Sequence, residues 1–235
     1  MKKESTLTNP KEVFVGKPTF YKRVAIFRIG LIAVIFGLVV LTVLVKQYDY
    51  FGLDLTVTQF IQSIDQPGFD FLMRTVSTTG NMMFTSVVLV ICALTLLIIK
   101  KIKASTMLIV STGGVGMISE LVKWLIARPR PSALLIHQIG LYPKSDSFPS
   151  GHVLLATGLY GFLLYLTYTQ LKQQLTLRVV LLVVVSLPLV LMGLSRIYLG
   201  AHWVSDVIGA YLLGYIWLFV VIHIYNALGP KVKPG

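Results

Sequence analysis

The chain has 235 residues, of which 55% are hydrophobic and 13% are charged, and its mean hydropathy is +0.79. A typical soluble domain carries about 25% charged residues, so this composition excludes an ordinary soluble protein. The net charge of +12 lies in short segments between apolar runs, where it directs membrane insertion. No pattern of basic and aromatic residues supports a nucleic-acid partner. The apolar runs are continuous rather than alternating, which argues against a membrane β-barrel.

Apolar runs of roughly the 20 residues that cross a bilayer core recur along the chain. They predict an all-α, polytopic membrane protein whose whole length, 1–235, forms a single domain. A polar and basic tail, 1–23, precedes a first run that is longer than a cleavable signal allows, so we predict an uncleaved first transmembrane helix. In chain order, the six predicted spans cover residues 25–46, 82–99, 105–126, 151–170, 178–198 and 204–226.

Segment 47–80 joins the first two spans and has apolar residues spread along it, with a turn predicted at 65–68. We predict two short amphipathic helices on the outer membrane surface. Such helices roof the site, guide a lipid into it or form a plain packed connector, and the sequence leaves these alternatives open. After the last span, residues 229–235 are predicted to form a second tail.

The distribution of basic residues orients the predicted bundle, because cytoplasmic segments are enriched in Lys and Arg. With the N-terminus inside, the inner segments contain these cations: Lys2, Lys3, Lys11, Lys17, Lys22, Arg23, Lys100, Lys101, Lys103, Lys172, Arg178, Lys231 and Lys233. Most of the acids then lie in outer segments, namely Asp49, Asp54, Asp65, Asp70 and Asp146. We therefore predict a multi-pass protein of the cell membrane with both termini in the cytoplasm.

Three short polar stretches interrupt this apolar chain. The first, 123–131, ends the third span; the second, 149–152, begins the fourth; and the third, 195–206, joins the fifth span to the sixth. Because successive spans alternate in direction, all three fall on the outer face. Ionisable groups so close to hydrocarbon are costly and require a compensating role, so we predict a functional site there.

In the third stretch, His202 and Asp206 are four residues apart, so on a helix they would share one face. The carboxylate can then accept from one imidazole nitrogen and leave the other as a nucleophile, as in a catalytic triad. A buried hydrogen-bonded pair without a catalytic role explains the same spacing. Arg196, at the outer end of the fifth span, is expected to face the same pocket.

In the second stretch, Ser150 is a natural N-cap for the fourth span, and Gly151 permits close approach of the backbone. The helix N-terminus offers free N–H groups to an anion. His152 lies in the first turn, where it can donate a proton to a leaving oxygen. The alternative is an ordinary capped helix start with a surface histidine.

In the first stretch, Lys123 supplies a point charge, and the guanidinium of Arg130 can bind phosphate oxygens bidentately. Arg128 is either part of this anion site or an interfacial cation whose long side chain extends to water. Glu120, one turn before Lys123, is placed to pair with it. Taken singly, Lys123 has the same interfacial explanation.

Together the three stretches supply an anion site, an oriented nucleophile and an acid, which is the set that phosphoryl transfer requires. No Cys/His spacing or carboxylate cluster suggests a metal, so we predict no metal and no cofactor. His137 is assigned to the surface or to a lid, His223 to helix packing or the inner interface, and the glycines of 113–116 to close helix packing.

The patterns Lys-x6-Arg-Pro at 123–131, Pro-Ser-Gly-His at 149–152 and Ser-Arg-x5-His-x3-Asp at 195–206 fill every position of a known three-part signature. It is the signature of the type 2 phosphatidic acid phosphatase superfamily, and the chain resembles its integral-membrane lipid phosphatase branch over residues 80–228. Each part alone is weak, but the combination is highly specific.

The resemblance implies a role for each matched residue. It makes His202 the nucleophile that forms a phosphohistidine, oriented by Asp206, and His152 the acid that protonates the leaving group and later helps to activate water. It also implies a metal-free phosphate site formed by Lys123, Arg130, Ser150, Gly151 and Arg196.

The expected function is that of a membrane phosphatase acting on a lipid phosphate or pyrophosphate at the outer face, with undecaprenyl pyrophosphate as the favoured substrate. Alternatives are phosphatidylglycerophosphate or phosphatidate, or transfer of the phosphate to another lipid or sugar. A transporter is disfavoured, because transporters tend to place polar groups near the bilayer midplane. No residue pattern specifies the lipid tail, and the oligomeric state stays open.

Overall fold

Helices account for all regular secondary structure in residues 17–140 and 146–228, the part of the chain that the computed structural model describes. The fold is therefore all-α, as predicted. The helices are α1 (Lys17–Gln47), α2 (Gly52–Gln62), α3 (Pro67–Thr79), α4 (Met82–Ile98), α5 (Ile102–Ile126), α6 (Gly151–Gln170), α7 (Leu175–Tyr198) and α8 (Val204–Ala227).

The predicted tails are only partly covered by this description. Residues 1–16 and 229–235 lie outside the described residues, whereas 17–23 belong to α1 and are helical.

Five helices are long and apolar enough to cross a membrane: Arg28–Gln47 within α1, then α5, α6, α7 and α8. The predicted second span is the exception, because α4 has 17 residues and meets the length requirement only together with α3. These two helices are bent by 59° at a short break, where the Asn81 side chain caps α4 by accepting from the N–H of Phe84 at 2.7 Å. Residues 17–140 and 146–228 therefore contain five helices that qualify as spans, or six if α3 and α4 together form one.

Helix α6 is the centre of the bundle, because 61% of its apolar stretch is buried. The corresponding share in α1, at the periphery, is 6%. A π-helical turn, Thr157–Gly161, interrupts it and brings Gly158 against α5. The Ser111 hydroxyl donates to the carbonyl of Gly158 at 2.7 Å, so the two helices meet backbone to side chain. Glycine permits this approach because it lacks a Cβ.

Helices α2 and α3 form as predicted in segment 47–80, and they pack against the bundle. Each has a buried side, with Thr58 on α2 and Met73 on α3 fully enclosed. The Ser195 hydroxyl of α7 donates to the carbonyl of Met73 at 2.6 Å, and Phe69 meets the Tyr198 ring edge to face at 5.0 Å. These contacts pack both helices against the bundle, as a packed connector requires, and the predicted role as a roof or lipid guide is not tested by them.

The close contact at Gly158 gives a stability prediction. A Cβ at Gly158 would lie 2.6 Å from the Val115 side chain and 2.8 Å from the Ser111 carbonyl oxygen, so Gly158→Ala forces α5 and α6 apart. Overpacking of this kind costs about 1–3 kcal/mol. Gly113→Ala is the matched control, because nothing lies within 4 Å of its Cβ position. Thermal unfolding in detergent should show a lower midpoint for Gly158→Ala and no loss for Gly113→Ala; equal midpoints would refute this packing.

Candidate active site

The three polar stretches meet at one end of the bundle, where α5 and α7 end and α6 and α8 begin. The N–H of Ser147 donates to the carbonyl of Arg128 at 2.8 Å, which joins the loop before α6 to the loop after α5. The N–H of Ser150 donates to the carbonyl of Asp206 at 3.3 Å, which joins the start of α6 to α8. Backbone contacts thus hold the stretches together independently of their side chains.

His202 is buried in the loop between α7 and α8, and both of its ring nitrogens have neighbours. Nδ1 lies 2.9 Å from the carbonyl oxygen of Ser147, and Nε2 lies 3.3 Å from a guanidinium nitrogen of Arg130. Because a carbonyl only accepts and a guanidinium only donates, this network assigns the proton to Nδ1 and the lone pair to Nε2.

Electrostatics keep this imidazole neutral. Burial lowers the pKa of His202 to about 4; the charges of Arg130 and Arg196 act in the same direction, and Asp206 opposes them. At neutral pH the ring is therefore uncharged, and Nε2 keeps its lone pair, which accepts from Arg130 in this structure.

Asp206 lies beside His202, but not for the reason that the spacing suggested. Helix α8 begins at Val204, so His202 precedes the helix and the two residues do not share a helical face. The carboxylate reaches back to accept from the N–H of Trp203 at 2.8 Å, which brings Oδ2 to 3.7 Å from Nδ1 of His202. That distance is too long for a hydrogen bond, so the direct acceptor for Nδ1–H is Ser147.

Ser147 was not identified from the sequence, yet it contacts both members of this pair. Its carbonyl holds His202, and its hydroxyl donates to Oδ2 of Asp206. The only sequence feature that could have pointed to Ser147 is its position two residues before the Pro-Ser-Gly-His pattern.

One cation lies at the Nε2 side of the ring, and a second lies near the start of α6. Arg130 is fixed by donating to the carbonyl of Ala201 at 2.9 Å, which directs its guanidinium toward His202. Lys123 belongs to the last turn of α5, and its Nζ lies 3.4 Å from the position that a Cβ of Gly151, the first residue of α6, would take. Lys123 also pairs with Glu120 at 2.9 Å, as its position predicted. The absent side chain of Gly151 leaves room for the ammonium group.

The start of α6 contains a buried hydroxyl that this structure leaves unused. Ser150 occupies the N-cap position, as expected, but its side chain makes no cap hydrogen bond. Its Oγ is buried and has no hydrogen-bond partner among the described residues. A buried polar group without a partner is costly and indicates a missing one, such as a bound anion.

His152 follows in the first turn of α6, within electrostatic reach of four charged or ionisable groups: Arg196, His202, Arg130 and Lys123. Arg196 is buried at the end of α7 and donates to the hydroxyl of Ser77, which belongs to α3. The structure therefore brings all eight predicted site residues to one location. His137 and His223 are exposed and take no part in it.

Arg128 is the largest departure from expectation. It is neither an interfacial cation nor part of the anion site, because its side chain is fully buried behind Asp206. Its guanidinium pairs with Asp206 at 2.6 Å and with Asp54 of α2 at 3.0 Å.

Comparison with known proteins identifies the family to which the sequence belongs. Residues 104–230 match the family model of the PAP2 superfamily. A relative named phosphatidylglycerophosphatase B, from Bacillus subtilis (strain 168), is 29% identical over 67% of this chain and 76% of its own length. A second, an undecaprenyl-diphosphatase from Sulfolobus acidocaldarius, is 32% identical over 61% of this chain and 65% of its own length.

Solved structures agree in fold. The transmembrane PAP2-type phosphatidylglycerolphosphate phosphatase from Bacillus subtilis superposes with a TM-score of 0.74 at 22% identity, covering 86% of this chain and 98% of that one. LpxE from Aquifex aeolicus gives a TM-score of 0.58 at 25% identity, covering 74% and 96%. With a family model that matches more than half of its length, the chain belongs to the PAP2 superfamily and is a multi-pass membrane lipid phosphatase.

Proposed function

We propose that this phosphatase hydrolyses its lipid substrate through a phosphohistidine on His202. The observation that carries the proposal is the arrangement around that ring, where Nδ1–H is held by Ser147 and the Nε2 lone pair faces the guanidinium of Arg130. An anionic phosphoryl group attracted to the guanidinium would meet the nucleophilic nitrogen directly.

In the first step, Nε2 of His202 attacks phosphorus and the bond from phosphorus to the leaving oxygen breaks. His152, which carries a positive charge once the anionic phosphoryl group is bound beside it, gives its proton to that oxygen, so the lipid leaves as an alcohol or as a monophosphate. The ring becomes positively charged, and the carboxylate of Asp206, 3.7 Å from Nδ1, stabilises that charge.

In the second step, water attacks the phosphohistidine and His152, now neutral, accepts its proton. The bond between phosphorus and nitrogen breaks, inorganic phosphate leaves, and both histidines return to their starting states. If another hydroxyl replaced the water, the same site would act as a phosphotransferase.

The phosphate cradle consists of Lys123, Arg130, Arg196, the hydroxyl of Ser150 and the backbone at Gly151. Three cations, with a helix N-terminus, compensate the charge that a metal ion carries in other phosphoryl-transfer enzymes. Turnover is therefore proposed to need no metal.

Undecaprenyl pyrophosphate is the proposed substrate, with phosphatidylglycerophosphate as the second candidate. The first is supported by the predicted outer-face site and by a relative named undecaprenyl-diphosphatase. The second is supported by a relative named phosphatidylglycerophosphatase B. Both present a terminal phosphate on a lipid that remains in the bilayer.

The assay that tests this function measures phosphate release by the purified protein in EDTA. The substrates are prenyl pyrophosphates, phosphatidylglycerophosphate and phosphatidate. We expect release from at least one of them, fastest from undecaprenyl pyrophosphate, and a fall of about a thousandfold or more in His202→Ala. His137→Ala is the matched control, because that histidine is exposed and should leave the rate unchanged. Equal rates for the wild type and His202→Ala would eliminate this mechanism.

Orientation is tested by labelling cysteines in intact cells with an impermeant maleimide. In a Cys92→Ser background, Leu134→Cys places a thiol in the loop between α5 and α6, where Leu134 is 95% exposed. Gln173→Cys places one in the loop between α6 and α7. An outer-face site predicts that Leu134→Cys is labelled and Gln173→Cys is protected until the cells are opened. The reverse pattern, in variants that remain active, would invert the proposed topology.

A further inference from the structure

A buried charge cluster lies behind the proposed catalytic pair, and we define it as Asp54, Arg128 and Asp206. The guanidinium of Arg128 donates to Asp206 Oδ1 at 2.6 Å and to Asp54 Oδ2 at 3.0 Å. The side chains of Arg128 and Asp206 are 0% exposed and that of Asp54 is 3% exposed. Neither Asp54 nor Arg128 takes part in the mechanism or the phosphate site proposed for this phosphatase.

The hydrogen bonding of the cluster is extensive. Ser205 bridges it, because its hydroxyl accepts from Arg128 and donates to Asp54, both at 2.7 Å. The N–H of Ser205 donates to Asp54 at 2.8 Å, and Nε of Arg128 donates to the carbonyl of Asp49 at 3.1 Å. A cluster with so many partners holds its members in one geometry.

Charge makes the cluster unusual. One cation faces two carboxylates, which leaves one formal negative charge buried beside His202. Burying ions costs several kcal/mol each, and well-packed apolar residues often stabilise a protein as much or more. Stability alone therefore does not explain why this cluster is built from charges.

The chemistry proposed for His202 gives a reason. Attack through Nε2 places positive charge on the ring, and a neighbouring negative charge lowers the energy of that state. If Arg128 served Asp206 alone, the guanidinium would neutralise the carboxylate. Because Arg128 also pairs with Asp54, it holds Asp206 in position while the cluster keeps a net negative charge.

We propose that Asp54 and Arg128 are positioning residues for the phosphatase reaction, which fix the carboxylate of Asp206 and preserve its negative charge toward His202. This inference rests on the proposed function, in which His202 is the nucleophile. It also gives α2 a role in the reaction, because Asp54 belongs to the first turn of α2 and accepts a hydrogen bond from Arg128.

The start of α2 is built to hold Asp54 in place. The N–H of Phe51 donates to Asp54 Oδ2 at 3.1 Å, and the Phe51 ring lies 5.4 Å from the guanidinium carbon of Arg128. Movement of α2 would thus disturb Arg128 and, through it, Asp206.

The test measures kcat, KM and inhibition by inorganic phosphate for purified Asp54→Asn and Arg128→Lys, with a lipid phosphate that the wild type hydrolyses. Partners in the layer behind a reactive group typically change activity 10- to 100-fold, so we expect kcat to fall by about that factor. KM and the phosphate inhibition constant should stay within about threefold, because the cations of the anion site are untouched. Rates are normalised to the folded, monodisperse fraction.

Two further variants serve as controls. Asp70→Asn removes one carboxylate of an exposed ion pair with Arg74 in α3 and should leave kcat within about twofold. Ser205→Ala removes the bridging hydroxyl but no charge. It should lower kcat about threefold or more, and it reports on the cluster even if a charged variant fails to fold.

The outcomes distinguish a failure of the positioning role from a failure of the proposed function. If the wild type releases no phosphate, or His202→Ala is fully active, the proposed function fails and this inference with it. If those results are as expected but Asp54→Asn, Arg128→Lys and Ser205→Ala keep the wild-type kcat per folded molecule, only this inference fails. A parallel rise in KM and the phosphate inhibition constant would also overturn it, since it would indicate general distortion of the site.

Discussion

The carboxylate of Asp206 is the junction on which this site depends. It accepts hydrogen bonds from the guanidinium of Arg128, the hydroxyl of Ser147 and the N–H of Trp203, and it lies 3.7 Å from Nδ1 of His202. An unpaired buried carboxylate is strongly destabilising, so these partners are held to it and to one another. One side chain thereby joins the loop after α5, the loop before α6 and the start of α8.

The two sides of the His202 ring have opposite electrostatic surroundings. Nε2 faces the guanidinium of Arg130, whereas Nδ1 faces the carbonyl of Ser147 with Asp206 behind it. An anion on the first side and a developing positive charge on the second are both stabilised, which suits nucleophilic attack on phosphorus. Because the groups are fixed by hydrogen bonds before any substrate binds, little reorganisation is required during the reaction.

The sequence predicted the spans well because hydropathy reports directly on length and burial in lipid. Its weakest span was the second, since α4 is short and qualifies only through its bent connection to α3. The motif residues were located correctly at helix ends, because alternating spans bring those ends together. His202 and Asp206 were expected on one helical face, but the loop before α8 adopts a geometry that residue spacing does not encode.

Asp54 and Ser77 could not be identified from sequence for a physical reason. Both lie outside the three motifs and reach the site only through tertiary packing, in which α2 and α3 lie against α7 and α8. Ser147 adjoins a motif, but its sequence position does not reveal its contacts with His202 and Asp206. Arg128 had two explanations, and burial between carboxylates was not one of them. Local periodicity identifies which residues share a helix face; it does not reveal which distant loop supplies a buried counter-ion.

If His202 is the nucleophile, each turnover passes through a covalent phosphoryl intermediate on this residue, and trapping that intermediate is the decisive experiment. The enzyme would be mixed with a lipid substrate carrying a radiolabelled terminal phosphate, quenched in alkali within one turnover and digested for mass spectrometry. We expect label in the peptide that contains His202, and none in the corresponding peptide of His202→Ala. Turnover by the wild type without label at His202, or with label on another residue, would rule out His202 as the nucleophile.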